Sequence, residues 1–176
     1  MKLRFMRLGV LVLLSVLVVA AGPLRAEWIF AHGTAAVIQQ NTAAALVSFD
    51  YLGWGFNAKL KKNTSAWLHF PMNNPALDDY YVDKIQLIFR TQNSNAYIAQ
   101  VDLWDGAARF ESLTGKWWSS GASKAVTIKL SRKWDISRGL GVSILLKNAA
   151  GGERTLLIES IGAHMDDSGS VPTVNR

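Results

Sequence analysis

Along much of this chain apolar and polar residues alternate with the period of two that marks a strand with one buried face. In KIQLIFRTQ (84–92), Ile85, Leu87 and Phe89 alternate with Lys84, Gln86 and Arg90, with Ile88 the one apolar exception. AVTIKLS (125–131) sets Val126, Ile128 and Leu130 against Thr127, Lys129 and Ser131, and NAYIAQVDLW (95–104) sets Tyr97, Ala99, Val101 and Leu103 against Ile98, Gln100, Asp102 and Trp104. GLGVSILLKN and RTLLIESIGAH add two apolar strands, and WIFAHGTAAVIQ, ALVSFDY, GFNAKL and SAWLHF supply the early ones. Turn residues separate them at PMNNP (71–75), Asn93–Asn95, Asp105-Gly106 and Asn148–Gly152. Nine or ten strands about ten residues apart, with no amphipathic helix between them, predict an all-β fold: an antiparallel β-sandwich of jelly-roll type. There is no internal repeat and no linker.

The alternation is absent at the N-terminus. MKLRFMR carries Lys2, Arg4 and Arg7, and the uncharged run LGVLVLLSVLVVAAG follows. That run falls short of the about 20 residues a membrane-spanning helix needs. Pro23, Arg25 and Ala26 come next, so residues 1–26 read as a secretory signal peptide cleaved after Ala26. With no cysteine after the run, lipoprotein processing is excluded. The expected organisation is a signal peptide over 1–26, one β-sandwich domain over 27–165 and a loose polar tail, DDSGSVPTVNR, over 166–176. After cleavage no membrane contact is expected, and the protein is placed in the periplasm or outside the cell.

Cleavage also changes the charge. Lys2, Arg4, Arg7 and Arg25 leave with the signal, so the net charge of +6 falls to +2, and KLKK (59–62) is the one remaining basic cluster. Nucleic-acid binding therefore drops out as a leading function. The chain has no cysteine, hence no disulfide, thiol nucleophile or thiolate metal site, and its stability must come from its core.

Seven strings occur in order: FAHGTA (30–35), GWGF (53–56), WLHFPMNNP (67–75), IQLIFRT (85–91), VDLWDG (101–106), RGLGVSI (138–144) and IGAH (161–164). The ordered set resembles an uncharacterised family of compact β-sandwich domains with a His-Gly-Thr opening, a Trp-x-His-x-Pro strand, a Trp/Tyr-Asp-Gly turn and a Gly-Leu-Gly-x-Ser strand. The resemblance covers nearly the whole domain and implies its fold. It implies no activity, and no catalytic residues carry over from it. Ala163-His164-Met165 departs from the family's acidic-aromatic ending, which weakens any metal or acid role at His164.

Candidate chemistry is sparse. His32, His69 and His164 would form a metal site if the first and last strands paired and brought His32 to His164 with Asp166 or Asp167 behind, but their spacing lacks a ligand motif. A hydrogen-bonded structural histidine is the commoner outcome, and no metal or cofactor is expected. Asp78-Asp79 and Asp166-Asp167 sit in a polar loop and tail rather than facing each other across a sugar. Gly-x-Ser-x-Gly is absent. A metal-dependent enzyme is the least favoured of three readings.

Tryptophan carries the functional reading. A rigid, exposed indole stacks on the apolar face of a sugar while amides and carboxylates bond its hydroxyls. Trp117, Trp118, Trp104, Asp105, Asn73 and Asn74 are the candidate ligand-binding residues, with Trp28, Trp54, Trp67 and Trp134 assigned to the core. Successive strand residues point to opposite faces, so Trp117 and Trp118 cannot share one core. Trp117 is expected inward against the AVTIKLS strand and Trp118 outward, although a bulge at Gly115-Lys116 would exchange them. The domain is read as an exported recognition module for a polysaccharide or cell-surface glycan. The alternative is a self-assembling extracellular protein, a homo-oligomer built through edge strands and tryptophan contacts.

Overall fold

The computed structural model describes residues 26–73 and 80–166. The signal segment up to residue 25, Asn74, Asp78-Asp79 and the tail from 167 lie outside the described residues. Eleven strands alternate with turns: β1 (Ala26–His32), β2 (Val37–Ile38), β3 (Leu46–Leu52), β4 (Gly55–Leu60), β5 (Thr64–Pro71), β6 (Tyr81–Thr91), β7 (Ala96–Asp105), β8 (Ala108–Trp117), β9 (Lys124–Asp135), β10 (Leu140–Asn148) and β11 (Arg154–Asp166). Two short 3-10 helices, η1 (Gly33–Ala35) and η2 (Gln40–Ala45), flank β2. No helix among the described residues is long and apolar enough to cross a membrane.

The strands form two antiparallel sheets, the expected sandwich. One is ordered β3-β4-β11-β6-β9 with β1 also on β11, and the other is β2-β5-β10-β7-β8. The thirteen-residue β11 is the spine of the larger sheet. Its first half pairs with β4, its second half with β1, and β6 runs along its other side. WIFAHGTAAVIQ is not one strand: η1 divides it into β1 and β2, which belong to different sheets.

The His-Gly-Thr opening explains that crossing. His32 Nδ1 accepts from the Thr34 N–H at 3.3 Å and caps η1. A side chain on Gly33 would collide with the Ile158 carbonyl and lie 2.8 Å from the Gly55 Cα, so only glycine lets the chain pass there.

Between the sheets lies a core of aliphatic residues and phenylalanine, with Phe56, Phe70, Phe89, Leu68, Ile85 and Ile144 wholly enclosed. None of the seven tryptophans joins them. Of the four assigned to the interior, Trp28, Trp54, Trp67 and Trp134, the last packs against this core and the other three assignments are corrected. Trp54 is 62% exposed, and Trp28, Trp67 and Trp134 are half-buried.

A second correction concerns β7. Its register slips between Ile98 and Gln100 against both neighbours, so Ala99 forms a bulge. Ile98 therefore shares the buried face with Val101 and Leu103, while Gln100 and Trp104 lie half-buried on the other side.

Candidate functional site

The outer face of the five-stranded sheet gathers most of the polar side chains that combine with aromatic ones. In register, Val37, His69, Ser143, Asp102 and Ser112 form one line across all five strands, and Pro71, Gly141, Trp104 and Arg109 form the next. Between the two lines lies an open groove of about 490 Å³, lined by Val37, His69, Pro71, Trp104, Gly141 and Ser143. Gly141, with no side chain, keeps its floor low beside the indole.

The polar groups are held in place. His69 Nε2 lies 3.2 Å from Gln39 Oε1, and Gln39 Nε2 donates to Asn41 Oδ1 at 2.7 Å, which fixes the amide. The neutral ring therefore carries its proton on Nε2, and Nδ1 accepts from the Ser143 hydroxyl at 2.7 Å. Burial disfavours the imidazolium and lowers the His69 pKa below its ordinary value. A serine beside an imidazole is the pairing a nucleophile needs, but an amide occupies the far ring nitrogen where a hydrolase places a carboxylate.

Asp102, buried on the next strand, accepts from Gln100 Nε2 at 2.8 Å, Ser112 Oγ at 2.7 Å and Arg109 Nη1 at 3.1 Å. The Arg109 guanidinium carbon also lies 6.0 Å from the Trp104 ring centroid. One carboxylate thus orders an amide, a hydroxyl and a guanidinium beside an indole. Ser112 gives its one hydrogen to Asp102, and Gln100 Nε2 gives its two to Asp102 and, at 3.2 Å, to Ser112 Oγ. The Arg109 guanidinium therefore keeps N–H donors for a ligand, while the Ser112 and Gln100 oxygens remain as acceptors.

The candidate residues of the sequence do not converge. Trp104 lines the groove, and exposed Asn73 follows Pro71 at the same end of the sheet. Asp105 is the neighbour of Trp104 but is buried, and Ser137 Oγ, the Arg138 N–H and the Gly139 N–H occupy its carboxylate. Its role is to close the β7–β8 turn onto the loop before β10, which corrects the expectation that it binds ligand.

Trp117 and Trp118 lie near the other end. Trp117 pairs with Ile98, six residues and about 20 Å of strand away from Trp104. Its half-buried ring folds over Gly115 and packs on the core. Its ladder partner is β7, and Val126 and Ile128 of the AVTIKLS strand pack against the same core. Trp118 stands just beyond β8, 39% exposed, in a loop that Ser119 ties to Thr91.

The histidines do not meet. β1 and β11 pair as a shared metal site would require, but the register sets Trp28 opposite His164 and His32 opposite Ser160. His164 Nδ1 contacts Asp83 at 2.6 Å, with Trp28 against the ring edge. No cluster of metal-ligating residues occurs among the described residues. Asp166 ends β11 in an ion pair with Lys133 rather than beginning a tail.

What sequence reading missed is the polar network of Gln39, His69, Gln100, Asp102, Arg109, Ser112 and Ser143. The alternation in NAYIAQVDLW did mark Gln100, Asp102 and Trp104 as one face, but nothing local announces their partners on β5, β8 and β10.

No family model matches the sequence and no curated protein matches it, so the resemblance to an uncharacterised family is supported only as far as a β-sandwich domain. Solved carbohydrate-binding modules are similar in structure. The xylan-binding module CBM15 is similar over 84% of this chain and 99% of its own, with 9% identity and a TM-score of 0.50. A family 29 carbohydrate-binding module from Piromyces equi is similar over 80% and 91%, with 12% identity and a TM-score of 0.47. TmCBM61, solved in complex with beta-1,4-galactotriose, is similar over 77% and 87%, with 11% identity and a TM-score of 0.43. At 9% identity the likeness to CBM15 is one of fold alone.

Proposed function

We propose that this protein is an exported, non-catalytic module that binds polysaccharide on the outer face of its five-stranded sheet. The observation that carries the reading is the pair of cross-strand lines: the Trp104 indole as a wall for a sugar's apolar face, and beside it the Arg109 guanidinium as donor and the oxygens of Ser143, Ser112 and Gln100 as acceptors, held in place by His69 and Asp102. A sheet face of this kind suits an extended chain, because successive sugars can lie across successive strands. The fold shared with a xylan-binding module supports a polysaccharide as the ligand class. Asn73 is placed at the groove's end, and Trp118 serves as a separate contact outside it. Export rests on the signal-like segment over 1–26.

Native affinity electrophoresis of residues 27–176 through gels containing a panel of polysaccharides tests the reading. Retardation on at least one gel, weakened more than tenfold by Trp104→Ala, is expected. Unretarded migration on every gel overturns it.

Assembly is the second reading, and β3 favours it. This edge strand leaves Val47, Phe49 and Tyr51 more than 40% exposed. A stable oligomer in size-exclusion chromatography with light scattering, dissociated by Phe49→Lys, would support it.

A further inference from the structure

Among the described residues the most exposed large apolar side chain belongs to neither the core nor the Trp104 groove. It is Trp54, in the two-residue turn that joins β3 to β4. The base of that turn is immobilised, since Gly55 is pressed against the Ile158 carbonyl so closely that any side chain would collide with it. The indole is therefore displayed on a fixed support.

It walls a cleft of about 370 Å³ on the outer face of the six-stranded sheet, within the range of small-ligand sites. Asn57, Leu157 and Arg90 lie in one line across β4, β11 and β6 and, with Thr155, lie along the cleft. The far wall is Gln92 and Gly121, and the Gly121 N–H is tied to the Thr91 carbonyl at 2.8 Å. The side chains of Asn57, Gln92 and Thr155 make no hydrogen bond among the described residues. Arg90 Nη2 lies 3.7 Å from Glu159 Oε1, beyond hydrogen-bond distance, while Ser123 bonds the other oxygen, Oε2, at 2.8 Å. The cleft thus offers an unoccupied indole, an apolar floor at Leu157, two amides, a hydroxyl and a guanidinium. That donor-rich set beside an aromatic face is the chemistry a neutral pyranose requires.

We propose that this cleft is a second sugar-binding site, facing away from the Trp104 groove across the sandwich, so that one domain holds two polysaccharide segments at once. The inference rests on the glycan reading of the first face. Two sites on opposed sheets point in opposite directions, so the domain cross-links chains, and each site raises the retention given by the other.

The test is affinity electrophoresis of the mature domain through the polysaccharide that retards it most, with Trp54→Ala, Trp104→Ala, the double variant and Arg90→Gln, plus turbidity on mixing with the soluble polysaccharide. Thermal unfolding confirms that each variant is folded. Each single tryptophan variant should keep about a tenth of the retention or less and lose the turbidity, and the double variant should run free. Arg90→Gln should weaken retention as Trp54→Ala does. If Trp54→Ala runs and clouds as the parent while Trp104→Ala runs free, the second site is wrong and the first stands. If Trp104→Ala behaves as the parent while Trp54→Ala runs free, bivalency and the first face both fail. A parent unretarded on every polysaccharide overturns both.

Discussion

The Asp105 carboxylate lies 2.6 Å from the backbone N–H of Arg138, and that bond joins the turn after β7 to the loop before β10. Burial alone would raise the pKa of this carboxyl, but the Arg138 N–H, the Ser137 hydroxyl and the N–H groups of Ser137 and Gly139 together hold it below the ordinary carboxylate value. A depressed folded pKa means stability that is fully present above the unfolded value near 3.9 and is lost as pH falls through the folded one. Asp105→Asn should therefore destabilise the domain by about 2 kcal/mol at neutral pH. The gap in urea midpoint between the variant and its parent should narrow in acid. A gap of constant size down to about pH 2 would show that charge is not what holds the loop.

Trp117 and Trp118 should respond oppositely to truncation. Trp117 packs on the core, and Trp117→Ala should cost about 2 kcal/mol, or roughly 5 to 10 °C in melting temperature. Trp118→Ala should stay within about 2 °C of the parent. Differential scanning calorimetry of the two variants decides, and equal losses would contradict the assignment.

Gly33→Ala should be among the most damaging small substitutions. Its methyl group would meet the Ile158 carbonyl, a backbone atom that cannot rotate away. A loss of about 3 kcal/mol or failure to fold is expected, whereas Gly53→Ala, with open space around it, should be near neutral. Comparing soluble yield and melting curves of the two checks this.

His69 is flanked by the uncharged Gln39 and Ser143, so its desolvated ring should titrate below 6.5 in an NMR pH series. Between the unfolded and folded pKa values the unfolded chain holds more protons, so this residue's contribution to stability is complete above about pH 6.5 and declines as pH falls toward the folded value. His69→Gln should remove that part of the decline. A ring that titrates at or above the ordinary histidine value would contradict the burial argument.

Much of the fold was legible because period-two patterning acts locally. KIQLIFRTQ lies in β6 with Ile85, Leu87 and Phe89 wholly buried, AVTIKLS lies in β9 with Leu130 buried and Val126 and Ile128 half-buried, and the apolar strings GLGVSILLKN and RTLLIESIGAH fall on β10 and β11. β8 was missed because ARFESLTGKW is half-exposed along most of its length, with no clean apolar set to detect. The β7 bulge at Ala99 was invisible because a parity change is a property of the ladder, not of the residues.

The site was legible only in part. Trp104 and Gln100 could be placed on one face of their strand, but Asp105 is a loop anchor, and only its donors from Ser137 to Gly139, more than thirty residues away, reveal that. Trp54 looked like core because large aromatics usually are, and its exposure follows from the turn that carries it.

By itself, the sequence determined that the chain is cysteine-free, rich in strands and tryptophan, and patterned for a two-sheet sandwich. Spacing, alternation and turn chemistry act within a few residues, and those suffice to specify strands. Which side chains meet was decided only by tertiary structure. The line of Val37, His69, Ser143, Asp102 and Ser112 draws on five strands, its outermost members 106 positions apart in the chain, and ladder register, set by bulges and by backbone approaches such as Gly33 on Ile158, brings them into one row.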